Sequence, residues 1–145
     1  DGARRLQARG ERSGVVLAAD TVVVVDDEIL GKPAHREAAL GMLTRLSGRA
    51  HRVLSCVCIG GLAADAPAAR AVTSDTSVWF RVLDRAECER YWASGEPEGK
   101  AGAYAIQGLG AAFVTRIEGS YSGVVGLPLC ETATLLESTG VWQVG

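Results

Sequence analysis

Three short segments of this sequence carry the side chains that could do chemistry. The first is Asp20-Thr21, set inside the run Val15-Val16-Leu17-Ala18-Ala19-Asp20-Thr21-Val22-Val23-Val24-Val25, in which nine of eleven residues are aliphatic. Such a run reads as a strand buried on both faces, where an unpaired carboxylate is costly. A metal ion, a cationic side chain or an opening in the sheet could offset that cost. At an opening, a carboxylate can hold a divalent cation and orient a water, or serve as general base. A structural aspartate that caps a neighbouring element or pairs with an arginine fits the same position. Thr21 points to the opposite face of the strand, where it could hydrogen-bond a ligand or pack its methyl group.

The second segment is Gly31-Lys32-Pro33, whose flanking residues hold the turn rigid and present the ammonium as a point charge suited to a phosphate; a solvated turn lysine is the alternative. The third is the block from Gly95 to Gly110, GEPEGKAGAYAIQGLG. Its glycines would let backbone N–H groups approach an anion, and Lys100 adds charge. Gln107 offers a donor and an acceptor, as the edge of a nucleobase requires. Neither a GxxxxGK nor a GxGxxG pattern is present. Gly119-Ser120-Tyr121-Ser122-Gly123 fails the G-x-S-x-G elbow, because Ser120 stands two residues before Ser122. With His35 and His51 at predicted element starts, no Ser-His triad is expected, and the turn is read as a source of hydroxyl and backbone donors.

Composition narrows the class. The chain has 145 residues, 48% hydrophobic and 22% charged, which is one ordinary domain spanning 1–145 with enough material for a core. A net charge of −2 gives no general attraction to nucleic acid polymers or anionic membrane. No apolar stretch is long enough to span a bilayer. Cys56, Cys58, Cys88 and Cys130 match no zinc or redox spacing and read as buried free thiols of a reducing, cytoplasmic setting. The opening Asp1-Gly2-Ala3-Arg4-Arg5, without methionine, reads as a fragment or a chain lacking its natural start.

The elements that must position these segments follow from periodicity. Residues 3–12 have helical charge spacing and end at Ser13-Gly14. A strand over about 15–25 turns at Asp26-Asp27 into a short strand at 28–30. Ala39, Leu40, Leu43 and Leu46 recur at helical spacing, which predicts a helix from Arg36 to Leu46 closed by Ser47-Gly48. Residues 51–62 and 71–83 read as strands joined by an Ala/Pro-rich connection over 63–70. Alternation in the second puts Val72, Ser74, Thr76, Val78 and Phe80 on one face. A helix over 84–93 starts at Asp84 with capping-box spacing to Glu87. Glycines crowd 94–128, and a last helix over about 128–139 begins near Pro128 and stops at Gly140. Interleaved strands and helices with at least one hairpin predict an α/β fold with a mixed sheet.

In order and approximate spacing, AADTVVVVDDEILGKP, LTRLSGRAHRV, GEPEGKAGAYAIQGLGAAFV and GSYSGVVGLPLCET resemble the Maf family of nucleotide pyrophosphatases over most of residues 15–137. The AGAYAIQG and SYSGVVGLPL versions resemble the subfamily acting on dTTP and UTP rather than the sister group that prefers methylated GTP. The resemblance implies an elongated Maf/ITPase-like fold, a mixed central sheet flanked by helices, and a homodimer. It also implies hydrolysis of a nucleoside triphosphate to monophosphate and pyrophosphate, assisted by a divalent metal cation, Mg or Mn. On the same grounds Asp20 would be the proton acceptor and a metal ligand, Thr21 and Gln107 would set base specificity, and Lys32 and Lys100 would face the phosphates. The family's N-terminal strand, its Ser-Pro-Arg-Arg phosphate loop and one specificity arginine have no counterpart in these residues. The Lys-Ala expected near the end of the upstream helix is replaced by Ala8-Arg9-Gly10. A non-catalytic nucleotide-binding or regulatory domain linked to septum formation, and a house-cleaning hydrolase of modified nucleotides, are the rival readings.

Overall fold

A computed structural model describes residues 14–62, 68–140 and 142–143. The helix expected over 3–12 lies outside the described residues, as does most of the 63–70 connection. The long aliphatic run forms β1 (Val15–Val25), and the chain reverses into β2 (Glu28–Leu30). Asp26 and Asp27 carry the reversal with φ of 52° and 60°, the doubly left-handed turn that matches strand twist and that Asp tolerates better than most residues. α1 (Arg36–Leu46) follows, capped by His35, whose Nδ1 accepts from the Ala38 N–H at 3.3 Å. β3 (Ala50–Gly61) and β4 (Arg70–Phe80) pair over ten positions, from Ala50 opposite Trp79 to Ile59 opposite Arg70.

α2 (Arg85–Ala93) starts at Asp84, which accepts from the Glu87 N–H at 2.7 Å. Only half of the expected capping box forms, because Glu87 turns its carboxylate to Arg81 instead. After two tight helical turns at Ala101–Ala103 and Leu109–Phe113 come β5 (Val114–Glu118), α3 (Tyr121–Val125) and α4 (Leu129–Glu137). β5 and α3 were not anticipated. Val114–Glu118 is a short edge strand with no buried residue, so it lacks the alternation that betrays a half-buried strand.

The sheet order is β2-β1-β3-β4-β5. Every pairing among the described residues is antiparallel, so the α/β sheet with flanking helices stands, while the parallel component of a mixed sheet is not found among them. β2 and β3 flank β1 on its two sides, and α1 makes the connection between them. One face of the sheet is covered along its length. Val23, Val25, Val53, Val78 and Phe80 pack with Leu40, Leu43 and Leu46 of α1 and with Tyr91 of α2, while Val57 and Ile59 pack under Leu135 of α4.

Two expectations need correction. β1 is not buried on both faces: Leu17 through Asp20 are exposed, and Val22 and Val24 are half-covered. An antiparallel sheet needs cover on one face only, so an aliphatic run does not prove two-sided burial. Nor are all four cysteines buried. Cys88 is, but Cys56 and Cys58 are half-buried on the less covered face and Cys130 is exposed on α4; all four are free.

Candidate functional site

Asp20, Thr21, Lys32, Lys100 and Gln107, drawn from three separate segments, all line one cavity of about 240 Å³. Local topology explains how. β2 pairs only with Val23–Val25, so among the described residues β1 is an edge strand from Ala19 to Val22. Successive residues of a strand point to opposite faces. Asp20 and Thr21 can share a cavity because it wraps the exposed edge. The burial penalty that first singled out Asp20 is therefore absent. Its carboxylate is exposed, its Oδ1 accepts from the Thr21 N–H at 2.9 Å, and among the described residues it is the only acidic one lining the cavity.

The chain contains only two lysines among its 15 cationic side chains, and both line this cavity. Every ion pair among the described residues is made by an arginine, and among those residues neither ammonium group has an ion-pair partner. The segments that carry them are tied together: the Gly102 N–H donates to the Gly31 carbonyl at 3.1 Å. Gly102 has φ +67°, and a Cβ on it would lie 2.9 Å from Val23 Cγ2, so only glycine lets this segment lie against β1. Ala103, fully buried, also takes a left-handed φ of 62°, a strained conformation of the kind that clusters at ligand sites.

The glycine-rich block divides in two: Gly99, Lys100 and Ala101 line the cavity, whereas at its far end two amides are taken from within by Glu96, whose Oε2 accepts from the Leu109 N–H at 2.8 Å and Oε1 from the Gly110 N–H at 2.9 Å. Tyr91 donates to Glu96 Oε1 at 2.7 Å and accepts from the Ala105 N–H at 3.1 Å. Desolvation raises the Glu96 pKa, but the Gly110, Tyr91 and Leu109 donors and the nearby Lys100 charge outweigh it and hold the carboxyl below its ordinary value. An internal carboxylate thus occupies the far end of the block and fixes the stretch that carries Gln107. A Cβ on Gly108 would come within 2.2 Å of that carboxylate, which accounts for the glycine after Gln107.

Sequence reasoning passed over three lining or supporting residues. Tyr104 lines the cavity, and its buried hydroxyl meets His51 Nε2 at 2.8 Å; the ring lies edge-on to Phe80 at 4.8 Å. Burial lowers the His51 pKa to about 4, so the ring is neutral at ordinary pH. Ser55, fully buried in β3 opposite Thr21, bonds Thr21 Oγ1 at 2.7 Å and the Gly123 carbonyl at 2.5 Å. The signal for Ser55, as for His51, was a polar residue at a buried position of the alternating strand β3; Tyr104, outside any strand, had none. Glu96 carried no such signal, because a carboxylate in a glycine-rich loop reads as solvated.

The Gly119–Gly123 segment is structural. Ser120 Oγ caps α3 by accepting from the Gly123 N–H, and Ser122 Oγ accepts from the Leu129 N–H, both at 3.0 Å. Its two serine hydroxyls serve as caps, and neither serine lines the cavity. A larger groove of about 630 Å³ over Leu17, Leu127, Leu129, Leu136 and Trp142 is lined almost wholly by apolar groups and offers a charged ligand nothing.

No three His, Cys, Asp or Glu side chains stand together among the described residues in a way that could hold a metal. One carboxylate in a polar cavity nevertheless suits magnesium or manganese bound largely through phosphate oxygens, the mode in which a nucleotide brings its own cation. No helix among the described residues is long and apolar enough to cross a membrane.

The profile of the Maf-like protein family matches residues 2–139. The chain is 57% identical over 137 residues to the dTTP/UTP pyrophosphatase of Alkalilimnicola ehrlichii, covering 94% of this chain and 65% of that protein. It is 51% identical over 136 residues to the dTTP/UTP pyrophosphatase of Hahella chejuensis, covering 93% and 66%. For that of Burkholderia lata the identity is 52% over 137 residues, covering 94% and 64%. The chain thus spans just under two thirds of the length of these curated relatives.

Proposed function

The chain belongs to the Maf family, and from that premise we propose that it forms the catalytic part of a nucleoside triphosphate pyrophosphatase acting on dTTP and UTP. One observation carries the reading: five residues from three distant segments line a single cavity with the charge pattern a metal-complexed triphosphate needs. The names of the relatives support the choice of substrate.

Lys32 and Lys100 neutralise phosphate charge, each as a compact ammonium that several phosphate oxygens can share. Gln107 and Thr21 read the base. Asp20 orients a water towards the α-phosphorus and takes its proton as the new P–O bond forms. The bond from the α-phosphorus to the bridging oxygen breaks, and pyrophosphate leaves with that electron pair. Asp20 would hold, on the protein side, a magnesium or manganese ion brought by the phosphates, and that ion would supply charge neutralisation at the leaving group. Tyr104 and the Glu96-braced loop hold the walls.

A cytoplasmic location follows from such a substrate. A homodimer is proposed on the same footing, the apolar groove around Leu127 and Leu129 being its support.

The test is a panel of canonical and modified triphosphates, with pyrophosphate and monophosphate quantified separately. Pyrophosphate release fastest from dTTP and UTP supports the reading. Preference for a modified nucleotide would turn it towards house-cleaning, and binding without turnover by the full-length protein would replace it with a non-catalytic nucleotide-binding role.

A further inference from the structure

Thr21 and Ser55 share two hydroxyl protons among three close oxygen pairs. Thr21 Oγ1 lies 2.7 Å from Ser55 Oγ and 3.3 Å from the Gly126 carbonyl, and Ser55 Oγ lies 2.5 Å from the Gly123 carbonyl. A hydroxyl has one proton to give. If Thr21 gave its proton to Gly126 and Ser55 gave its own to Thr21, Ser55 Oγ and the Gly123 oxygen would face each other at 2.5 Å with no proton between them. If each hydroxyl served its own carbonyl, the two Oγ atoms would meet unprotonated at 2.7 Å. Both arrangements leave an oxygen pair at 2.7 Å or closer with its lone pairs opposed, and the Gly123 carbonyl gains nothing from it, since it also accepts from the Gly126 N–H at 3.1 Å. The arrangement that leaves only the longest pair, Thr21 Oγ1 and the Gly126 carbonyl at 3.3 Å, without a proton has Ser55 donating to Gly123 and Thr21 donating to Ser55.

That assignment has a consequence at the cavity. Thr21 lines it but has already spent its proton inward, so its oxygen can meet a ligand only as an acceptor. Gln107, on the same cavity, can show either a donor or an acceptor by rotating its amide. Thr21 cannot, so it is the side chain that discriminates by hydrogen-bond polarity. The Ser55 hydroxyl is fully buried, so it acts only through Thr21.

We propose that Ser55 is a positioning residue that fixes Thr21 as a hydrogen-bond acceptor, and that Thr21 thereby selects a base presenting an N–H, the imide of uracil or thymine, over cytosine, which presents a lone pair at that ring position. This inference rests on the pyrimidine triphosphate reading given above. An acceptor facing a lone pair loses a hydrogen bond and gains a repulsion, which amounts to at least about tenfold in discrimination.

The experiment measures kcat/KM for UTP and CTP, and Kd for their non-hydrolysable α,β-methylene analogues, on the full-length protein and on Ser55→Ala, Ser55→Thr, Thr21→Val and the Ser55→Ala/Thr21→Val double variant. Ser55→Ala is expected to shrink the UTP:CTP ratio about tenfold, because Thr21 is then free to donate to the cytosine lone pair. Ser55→Thr keeps the hydroxyl and should keep the ratio. In the Thr21→Val background, Ser55→Ala should change the ratio no further, whereas a merely structural Ser55 would act in both backgrounds.

An unchanged ratio in a folded Ser55→Ala protein overturns the proposal. Should that variant not fold, Ser55→Cys, which fills the same space with a weak donor and acceptor, decides it: a retained ratio overturns the proposal, and a reduced one supports it. If the parent protein neither binds nor cleaves a pyrimidine triphosphate, the functional reading itself has failed; if it cleaves UTP with a ratio indifferent to Ser55, only this inference has.

Discussion

At the scale of single residues, Asp20 is the side chain whose environment differs most from what its sequence neighbours imply. Among nine aliphatic residues it reads as a buried ion; in the fold it is exposed on the open edge of β1. An exposed carboxylate whose one hydrogen bond among the described residues comes from the adjacent Thr21 N–H contributes little to stability, so its removal should be felt in chemistry alone. Asp20→Asn is expected to lower kcat for UTP by at least about a hundredfold, the usual scale for loss of a general base, with an unchanged melting temperature. Near-normal turnover would remove Asp20 from the mechanism. The lysines make the complementary point. A chain that uses arginine for every ion pair among its described residues keeps its only two lysines for the cavity, consistent with a phosphate partner that needs mobile point charges rather than rigid forks.

At the scale of elements, α3 is the piece whose placement decides the shape of the cavity. This helix of five residues, Tyr121–Val125, packs over a stripe of hydroxyls, Thr21, Ser55 and Ser74, that lie side by side across β1, β3 and β4. Its approach depends on glycine. A Cβ on Gly119 would stand 2.7 Å from Thr76 Oγ1 and 3.0 Å from the Asp75 carbonyl oxygen, at a φ of +128°. Gly119→Ala is therefore expected to destabilise the protein by about 2 kcal/mol or more, from strain and overpacking together, as measured by urea denaturation. A loss within experimental error would mean that the α3 seat yields easily. The Glu96 clamp does the equivalent work for the loop that carries Gln107, where it takes the Leu109 and Gly110 amides.

At the scale of the whole molecule, the main core and the cavity meet at the aromatic group of His51, Phe80, Tyr104 and Phe113. Burial lowers the His51 pKa from 6.5 to about 4. The unfolded chain therefore takes up a proton near pH 6.5 that the folded chain refuses until about pH 4. Stability linked to this ring is present above that window and is lost as pH falls through it, on the order of 2 kcal/mol between about pH 7 and about pH 5. A His51→Gln variant should show a correspondingly flatter dependence in urea titrations at the two pH values. An equal loss in parent and variant would assign the acid sensitivity elsewhere.

Periodicity located the elements that carry strong patterns: β1, the β1–β2 turn, α1, β3 and the capped α2 all fall where it put them. It could not reveal β5 or α3, because neither buries a regular stripe, nor the antiparallel flanking of β1 by both β2 and β3, which is a long-range choice. The five candidate site residues were legible as chemical types, but what brings them together was not. The open edge of β1, the Gly102–Gly31 bond and the Glu96 clamp depend on contacts between segments far apart in the chain.

The central claim is that this cavity directs water onto the α-phosphorus of a pyrimidine triphosphate. Hydrolysis of UTP by the full-length protein in water labelled with heavy oxygen, followed by mass spectrometry of both products, tests it most directly. The account predicts one labelled oxygen in the uridine monophosphate and none in the pyrophosphate. Label in the pyrophosphate would place the attack on the β-phosphorus and contradict it, and so would release of labelled orthophosphate.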